Sequence, residues 1–476
     1  MKLLYEPMRP AGRLISKRLA LFIAVSLALA SVSSIAQQPA GTNAVYTTIK
    51  DFAYGTLLNT TTALTPIGTT GQVQFSPTSK PFPYLYVAVS ARGTLVRIDI
   101  NSGAILGEYF TAPDGNGRDP SRTTVDQLGN VWVSNRGEAG ASPLPNSFGK
   151  GSVTRIGLII GGTRDLSDPN HIYPPWIYNT CVDRDGDGRI KTSRGLTDIR
   201  RWPGGGAGGA DTHGGVSTAD DECVINYTRV AGTHARTVAI DNNNDLWVGG
   251  LNSKHEKLNG ALPPSPVSGQ PIANTEFQAS CGGYGGFIDK FGVLWSARYG
   301  NHLLRFDPKV GPPGMCLNTS HGDYGLALDP KTCHVWHTSL FGPIADVNNP
   351  IAGRVVEMDP FGTVLSSRPH GHPYAQGVAV DSNGNVWVAH SIVAPATTVG
   401  HLRTIGGIFV GNVPLVDPIN SAIVGEGPTG VSVDTNGKIW VTNRNSNNVM
   451  RINPTGGNAI KFAQVIDMPG EVFEIR

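Results

Sequence analysis

The chain has 476 residues, of which 60 glycines and 34 prolines make about a fifth, a composition that suits one large all-β domain of short strands as well as two average domains. Its formal net charge of +2, with no run of like charges and no basic stripe interleaved with aromatics, argues against a nucleic-acid partner.

The first 36 residues read as a secretory signal. Lys2, Arg9, Arg13, Lys17 and Arg18 precede an apolar core over 19–30, and Ser34-Ile35-Ala36 offers a small-x-small cleavage site. The competing reading is an uncleaved anchor, but this core is short of the ~20 residues that a span needs, and no later stretch reaches that length. A secreted or periplasmic chain with no stable membrane span is therefore expected. Cleavage removes five of the 38 basic residues and one of the 36 acids, leaving a balance of −2. Residues 37–81 are polar, rich in Thr, Gly and Pro, and form a lead-in to a domain over 82–476.

From Tyr84 a unit recurs, clearest at Gly377–His390, GVAVDSNGNVWVAH. Two runs alternate with period two, and Asp381-Ser382-Asn383-Gly384-Asn385 punctuates them, which predicts a hairpin with an Asx turn at Asp381 and a positive φ at Gly384. Copies follow at VDQLGNVWV, VAIDNNNDLWV, FIDKFGVLWS, LALDPKTCHVWH and VSVDTNGKIWV, with Tyr86 in the aromatic place of the first. The aromatic positions are Tyr86, Trp132, Trp247, Trp295, Trp336, Trp387 and Trp440, spaced by 46, 115, 48, 41, 51 and 53 residues. The long interval is one repeat plus an insertion of roughly 70 residues within 158–230. A third strand follows each hairpin, as in LVRIDI, LLRFDP and VMRINP, and a weaker fourth often comes after it. The pattern predicts a β-propeller of seven four-stranded antiparallel blades, closed by the first or last segment, with the tryptophans packed between blades.

The G-x-x-V-D-x-x-G-x-[VIL]-W-[VT] unit, over roughly Tyr84 to Pro454, resembles the repeat of the streptogramin (virginiamycin B) lyase family and the related NHL-type propellers. The resemblance implies the propeller fold. It also implies a β-elimination chemistry with an entrance histidine, a glutamate after the Trp strand of the same blade, and a magnesium ion. At the matching entrance positions stand Arg236, Tyr284, Tyr324, Gln376 and Thr429, and four places after the aromatic come Arg136, Leu251, Tyr299, Leu340, Ser391 and Arg444. None is histidine or glutamate, so the resemblance supports the fold and not the reaction.

The insertion carries Asp183-Arg184-Asp185-Gly186-Asp187-Gly188-Arg189-Ile190, the first half of a calcium loop. Asp183, Asp185 and Asp187 would converge on one ion, and Arg189 would give its backbone carbonyl. Arg194 stands where the bidentate acid belongs, so Asp198, Asp220, Asp221 or Glu222 would complete the shell. Ca2+ in a structural role is the expected cofactor. Five cysteines leave one odd thiol. Cys181 and Cys223 bracket the loop and are expected to bridge, tethering an insertion with little apolar core. Cys281 and Cys316 are expected to join entrance loops of neighbouring blades, leaving Cys333 free.

In a propeller, residues before each innermost strand and after the second strand meet at one mouth of the central channel. The first set includes Arg122, His234, Arg236, Tyr284, His321, Tyr324, His372 and Tyr374, and the second Arg136, Arg298, His337, His390 and Arg444. So many Arg, His and Tyr side chains with few acids predict a mouth for an anionic or polyhydroxylated ligand, a small molecule, glycan or peptide. Whether it is an enzyme stays open. The alternative is a β-elimination lyase of the streptogramin lyase-like or uronate-polysaccharide type, with His321, His372, Tyr324 and Tyr374 as acid and base. A monomer is expected.

Overall fold

The repeated Asp builds the turn and satisfies the tryptophan with one carboxylate. Asp381 Oδ1 accepts the amides of Asn383 and Asn385 at 2.8 and 2.9 Å, while Gly384 takes φ +80°. This closes the hairpin between Ala375–Val380 and Asn385–His390. Asp289 and Asp434 repeat the arrangement. The second oxygen then accepts the indole N–H of the tryptophan, at 2.9 Å in Trp295, 3.1 Å in Trp387 and 2.8 Å in Trp440. At Asp126 a buried arginine, Arg155, takes that oxygen instead.

The computed structural model describes residues 82–137, 150–204, 215–298, 300–339, 353–392, 394–417, 421–454, 461–467 and 472–475. The chain divides into two units, Met1–Lys80 and Pro81–Arg476. The expected signal segment, and the lead-in up to Pro81, lie outside the described residues. Among those described, no helix is long and apolar enough to cross a membrane.

The second unit is all-β, built from antiparallel sheets laid down in chain order. Tyr84–Val89, Thr94–Asp99 and Ile105–Phe110 form a sheet completed by the last strand, Val472–Ile475. Pro120–Val125, Val131–Asn135 and Lys150–Ile156 take Val224–Thr233 as their fourth strand. Further four-stranded sheets start at Thr237–Ile240, Ala375–Val380 and Pro428–Val433. Between them a seven-stranded sheet runs from Gly286–Ile288 to Val364–Pro369. Its long strand Met315–Leu328 pairs with Gly300–Phe306 through Met315–Asn318 and with Val335–Ser339 through Leu326–Leu328, so it ends one four-stranded set and begins the next.

The first strands of successive sets touch in order. Pro120–Val125 meets Thr237–Ile240, and contacts continue through Gly286–Ile288, Met315–Leu328, Ala375–Val380 and Pro428–Val433 to Val472–Ile475, which returns to Pro120–Val125. The aromatics lie on the following strands and pack onto the next sheet: Trp132 against Val238 and Leu246, Trp336 against Val386 and Val388, Trp440 against Leu85 and Val87. All six tryptophans of the repeat are buried. The arrangement is propeller-like.

The insertion differs from expectation in two ways. Its end, from Val224, already belongs to a sheet of the repeat. It also has an apolar anchor. A three-stranded sheet of Ile159–Arg164, His171–Asn179 and Ile190–Lys191 leads to Trp202, and Ile190 and Trp202 are buried in one cluster with Tyr86, Leu95, Val131 and Ile156. A segment too short to enclose a core of its own thus shares that of the first two sheets. Disulfides join Cys181 to Cys223 and Cys281 to Cys316, and Cys333 is a buried free thiol. Cys316 lies within the strand Met315–Leu328, opposite Leu304, and not in an entrance loop.

Candidate functional site

Four of the expected residues converge where the first strands begin. Arg122 is the third residue of Pro120–Val125, Arg236 directly precedes Thr237–Ile240, Tyr284 precedes Gly286–Ile288, and Tyr324 lies in Met315–Leu328. Because those strands are neighbours, their entries bring the side chains into one buried cluster. The Tyr284 and Tyr324 rings stand 4.6 Å apart between centroids. The guanidinium of Arg236 lies 4.2 Å from the centre of the Tyr284 ring and donates from Nη1 to the Tyr284 hydroxyl at 2.5 Å. The guanidinium of Arg122 lies 5.2 Å from Tyr324 and 5.5 Å from Tyr284.

Burial lowers the pKa of Arg236, the phenol of Tyr284 opposes this, and the like charges of Arg136 and Arg122 add to the lowering. Burial, then Tyr284, raises the pKa of Tyr324 against the pull of both arginines, so this phenol stays protonated at neutral pH. Two arginines and two phenols therefore share one place. Arg122 and Arg236 also line a small pocket of about 10 Å³ with Thr123, Val238, Gly285, Gly286 and Leu326.

The remaining candidates are dispersed. Arg136 pairs with Asp119 and donates to Ser90 Oγ at 3.2 Å. Arg298 donates to Ser253 Oγ at 3.1 Å and to the Ser280 carbonyl at 2.7 Å. His234 is half-buried with φ +48°, and Arg444 is exposed. His337 and His390 are corrections to the sequence reading. Pairing runs past the tryptophan to Ser339 and to His390, so both histidines are fully buried strand residues and not rim loops. The side chain of His321 lies outside the described residues.

His372 packs with other histidines. His372 Nδ1 lies 2.9 Å from the Tyr374 carbonyl, and its ring stacks on His390 at 5.0 Å. His390 Nε2 faces the carbonyl of His370 at 2.8 Å. His370 was missed in the sequence. The run Arg368-Pro369-His370-Gly371-His372 was its only signal, and both of its ring nitrogens are buried without a hydrogen-bond partner.

In the insertion, Asp183, Asp185 and Asp187 each offer an oxygen within 4.8 Å of the others. Asp183 accepts the amides of Gly186 and Gly188 at 2.7 and 2.9 Å, and both glycines have positive φ. Asp187 is held by Arg189, whose hydrogen bonds lower its pKa. Glu222 accepts the amides of Arg184 and Lys191 at 2.6 and 2.7 Å, Asp221 caps Ser193, and Asp198 pairs with Arg200. The acids considered for the rest of the shell thus have protein partners, save Asp220.

No family model matches the chain, and no curated protein does. Solved structures do. The periplasmic gluconolactonase of Pseudomonas aeruginosa is 14% identical, with a TM-score of 0.50 over 83% of this chain and 98% of that one. A putative 6-phosphogluconolactonase of Bacteroides uniformis is 12% identical, with a TM-score of 0.48 over 83% and 98%. A catalytically inactive virginiamycin B lyase of Staphylococcus aureus with quinupristin is 14% identical, with a TM-score of 0.42 over 76% and 92%. The first of these likenesses bears out a β-propeller fold. At such identity it says nothing of activity.

Proposed function

We propose that the chain is a secreted propeller of seven four-stranded blades that binds an anionic or polyhydroxylated ligand at the channel mouth. The blade count rests on the cycle of first strands closed by Val472–Ile475. Two disulfides fit an oxidising compartment and so support export. The observation that carries the ligand reading is the meeting of Arg122 and Arg236 with Tyr284 and Tyr324, a set of cationic and hydroxyl donors of the kind that hold anions and sugar hydroxyls. The test is calorimetric titration of the purified chain with acidic and neutral saccharides. Acidic ones should bind, with affinity falling as salt rises and falling ~10-fold or more in Arg122→Gln. Equal binding of neutral and acidic sugars would overturn the reading.

A second reading is β-elimination. It is favoured by the hydrogen bond from Arg236 to the Tyr284 hydroxyl, which places a cation where a phenolate base would need it. Ultraviolet absorbance of unsaturated products from uronate polymers decides between turnover and binding alone.

For the insertion we propose structural calcium on Asp183, Asp185 and Asp187, with the Arg189 carbonyl. The convergence of the three carboxylates supports it. Binding requires Asp187 to exchange Arg189 for the ion.

A further inference from the structure

The turns of this chain decide which side chains reach solvent. Where an aspartate follows a strand, its carboxylate accepts the amide two residues on, at 2.9 Å in Phe291, 3.0 Å in Lys309, 2.8 Å in Lys331 and 2.9 Å in Phe361. The acid is thereby drawn onto its own backbone. Phe291, Val310 and Phe361 stand 50%, 84% and 75% exposed at these turns, with Lys290, Lys309 and Lys331 exposed among them. Ile405 and Ile408, between Thr398–Arg403 and Phe409–Pro414, are exposed to 85% and 62%. These turns belong to three consecutive sets, which begin at Gly286–Ile288, within Met315–Leu328 and at Ala375–Val380. Each follows a first or a third strand. Because the strands alternate in direction, such turns lie at the opposite end from the strand entries that carry Arg236 and Tyr284. Arg305 Nε donates to the Pro360 carbonyl at 3.0 Å and Arg368 Nε to the Gly406 carbonyl at 3.2 Å, which joins the tips of neighbouring sets into one band. In the flanking sets, which start at Thr237–Ile240 and Pro428–Val433, the same place after the aspartate holds Asn243 and Asn436.

We propose that this band docks the chain on an anionic phospholipid bilayer, with the apolar tips entering among the headgroups and the three lysines meeting lipid phosphates. Scattered apolar side chains are ordinary on a surface, but a run of them across three neighbouring sets marks an interaction face. Its charges choose the occupant. None of the three lysines is ion-paired among the described residues, and Lys290 lies 5.1 Å over the ring of Phe291. The acids of the same turns face their own backbone amides. The band is thus apolar and cationic at once, the combination by which buried apolar area and attraction to anionic lipid add together. A second copy docked face to face would instead set lysine against lysine. On a bilayer met in this way, the Arg–Tyr cluster stays on the side turned away from the lipid.

The test is co-sedimentation of the purified chain with vesicles of phosphatidylcholine alone and of phosphatidylcholine mixed with phosphatidylglycerol. The chain should bind the mixed vesicles ~10-fold or more tightly, and less so as salt rises. Phe361→Ser combined with Ile405→Ser removes two apolar tips and should weaken binding to mixed vesicles ~10-fold. Lys309→Gln combined with Lys331→Gln should remove most of the preference for anionic lipid. All four side chains are exposed, so both variants should melt with the parent, which separates lost binding from lost fold. Binding to neither kind of vesicle, equal binding to both, or variants that bind like the parent would overturn the proposal. Sedimentation velocity without lipid tests the other occupant. A dimer that the serine variant dissociates would assign the band to a second copy and overturn the lipid reading as well.

Discussion

Buried histidines make the chain acid-sensitive in a way that individual side chains predict. Burial pushes His370 down to about 3 and His255 to about 4, and His390 well below its ordinary range, because a buried imidazolium loses its hydration. In the unfolded chain these rings return toward their ordinary value of 6.5. Between the two values the unfolded state holds more protons, so stability is fully present above pH 6.5 and is lost as pH falls toward 3. Each such ring removes up to about 1.4 kcal/mol per pH unit inside its window. Urea midpoints should therefore fall steadily from pH 7 to pH 4.5. His370→Leu should make that fall shallower, because His370 has no hydrogen-bond partner to lose. A midpoint that is flat over this range, or a variant with the parent's slope, contradicts the assignment. The repeat aspartates were legible at this same scale. The Asp and Trp six residues apart were visible as a turn and a core residue, and the structure adds that one carboxylate serves both in three of the copies. His370 was not legible, since its burial depends on chain brought over it from elsewhere. Gly353 is one such piece: a Cβ there would come within 2.5 Å of the His370 ring.

The elements show where local pattern stops being informative. Period-two runs with Asp/Gly turns located the second strands, because alternation and turn chemistry are local. They did not locate the long strand Met315–Leu328, because Asn318-Thr319-Ser320-His321-Gly322-Asp323 has the composition of a turn, yet the chain runs through it as one strand that joins two sheets. Nor did they show that Trp202 and Ile190 anchor the insertion, since their partners Tyr86 and Leu95 lie about a hundred residues earlier. That anchor sharpens the expectation for calcium. If three carboxylates hold an ion, removing it frees the Asp-Gly loop while Trp202 and the Cys181–Cys223 bridge keep the insertion docked. Chelation, or Asp185→Ala, should raise proteolysis between Cys181 and Cys223 and leave the strand signal in circular dichroism unchanged. Calcium should also raise the melting temperature of the parent and not of the variant. Equal cleavage with and without calcium would leave the loop a polar turn held by Arg189.

At the scale of the whole molecule, closure is the feature on which the mouth depends. The last strand, Val472–Ile475, pairs with Val87, Ala88 and Val89, and it touches both Pro120–Val125 and Pro428–Val433. It therefore joins the end of the chain to the beginning of the repeats and stands beside the strand that carries Arg122. Ending the chain after Asp467 deletes it. The edge of Tyr84–Val89 then loses its backbone partners, each worth about 0.5–1.5 kcal/mol net, and becomes an open template for pairing with another chain. The truncated protein should melt lower, associate with itself on warming, and bind anionic saccharides more weakly, because the entry of Pro120–Val125 loses its neighbour. A synthetic peptide of residues 468–476, added in excess, should restore part of both melting temperature and affinity by mass action. A truncated chain that melts and binds like the parent would mean that the ring is held by its other contacts and that the last strand only decorates it.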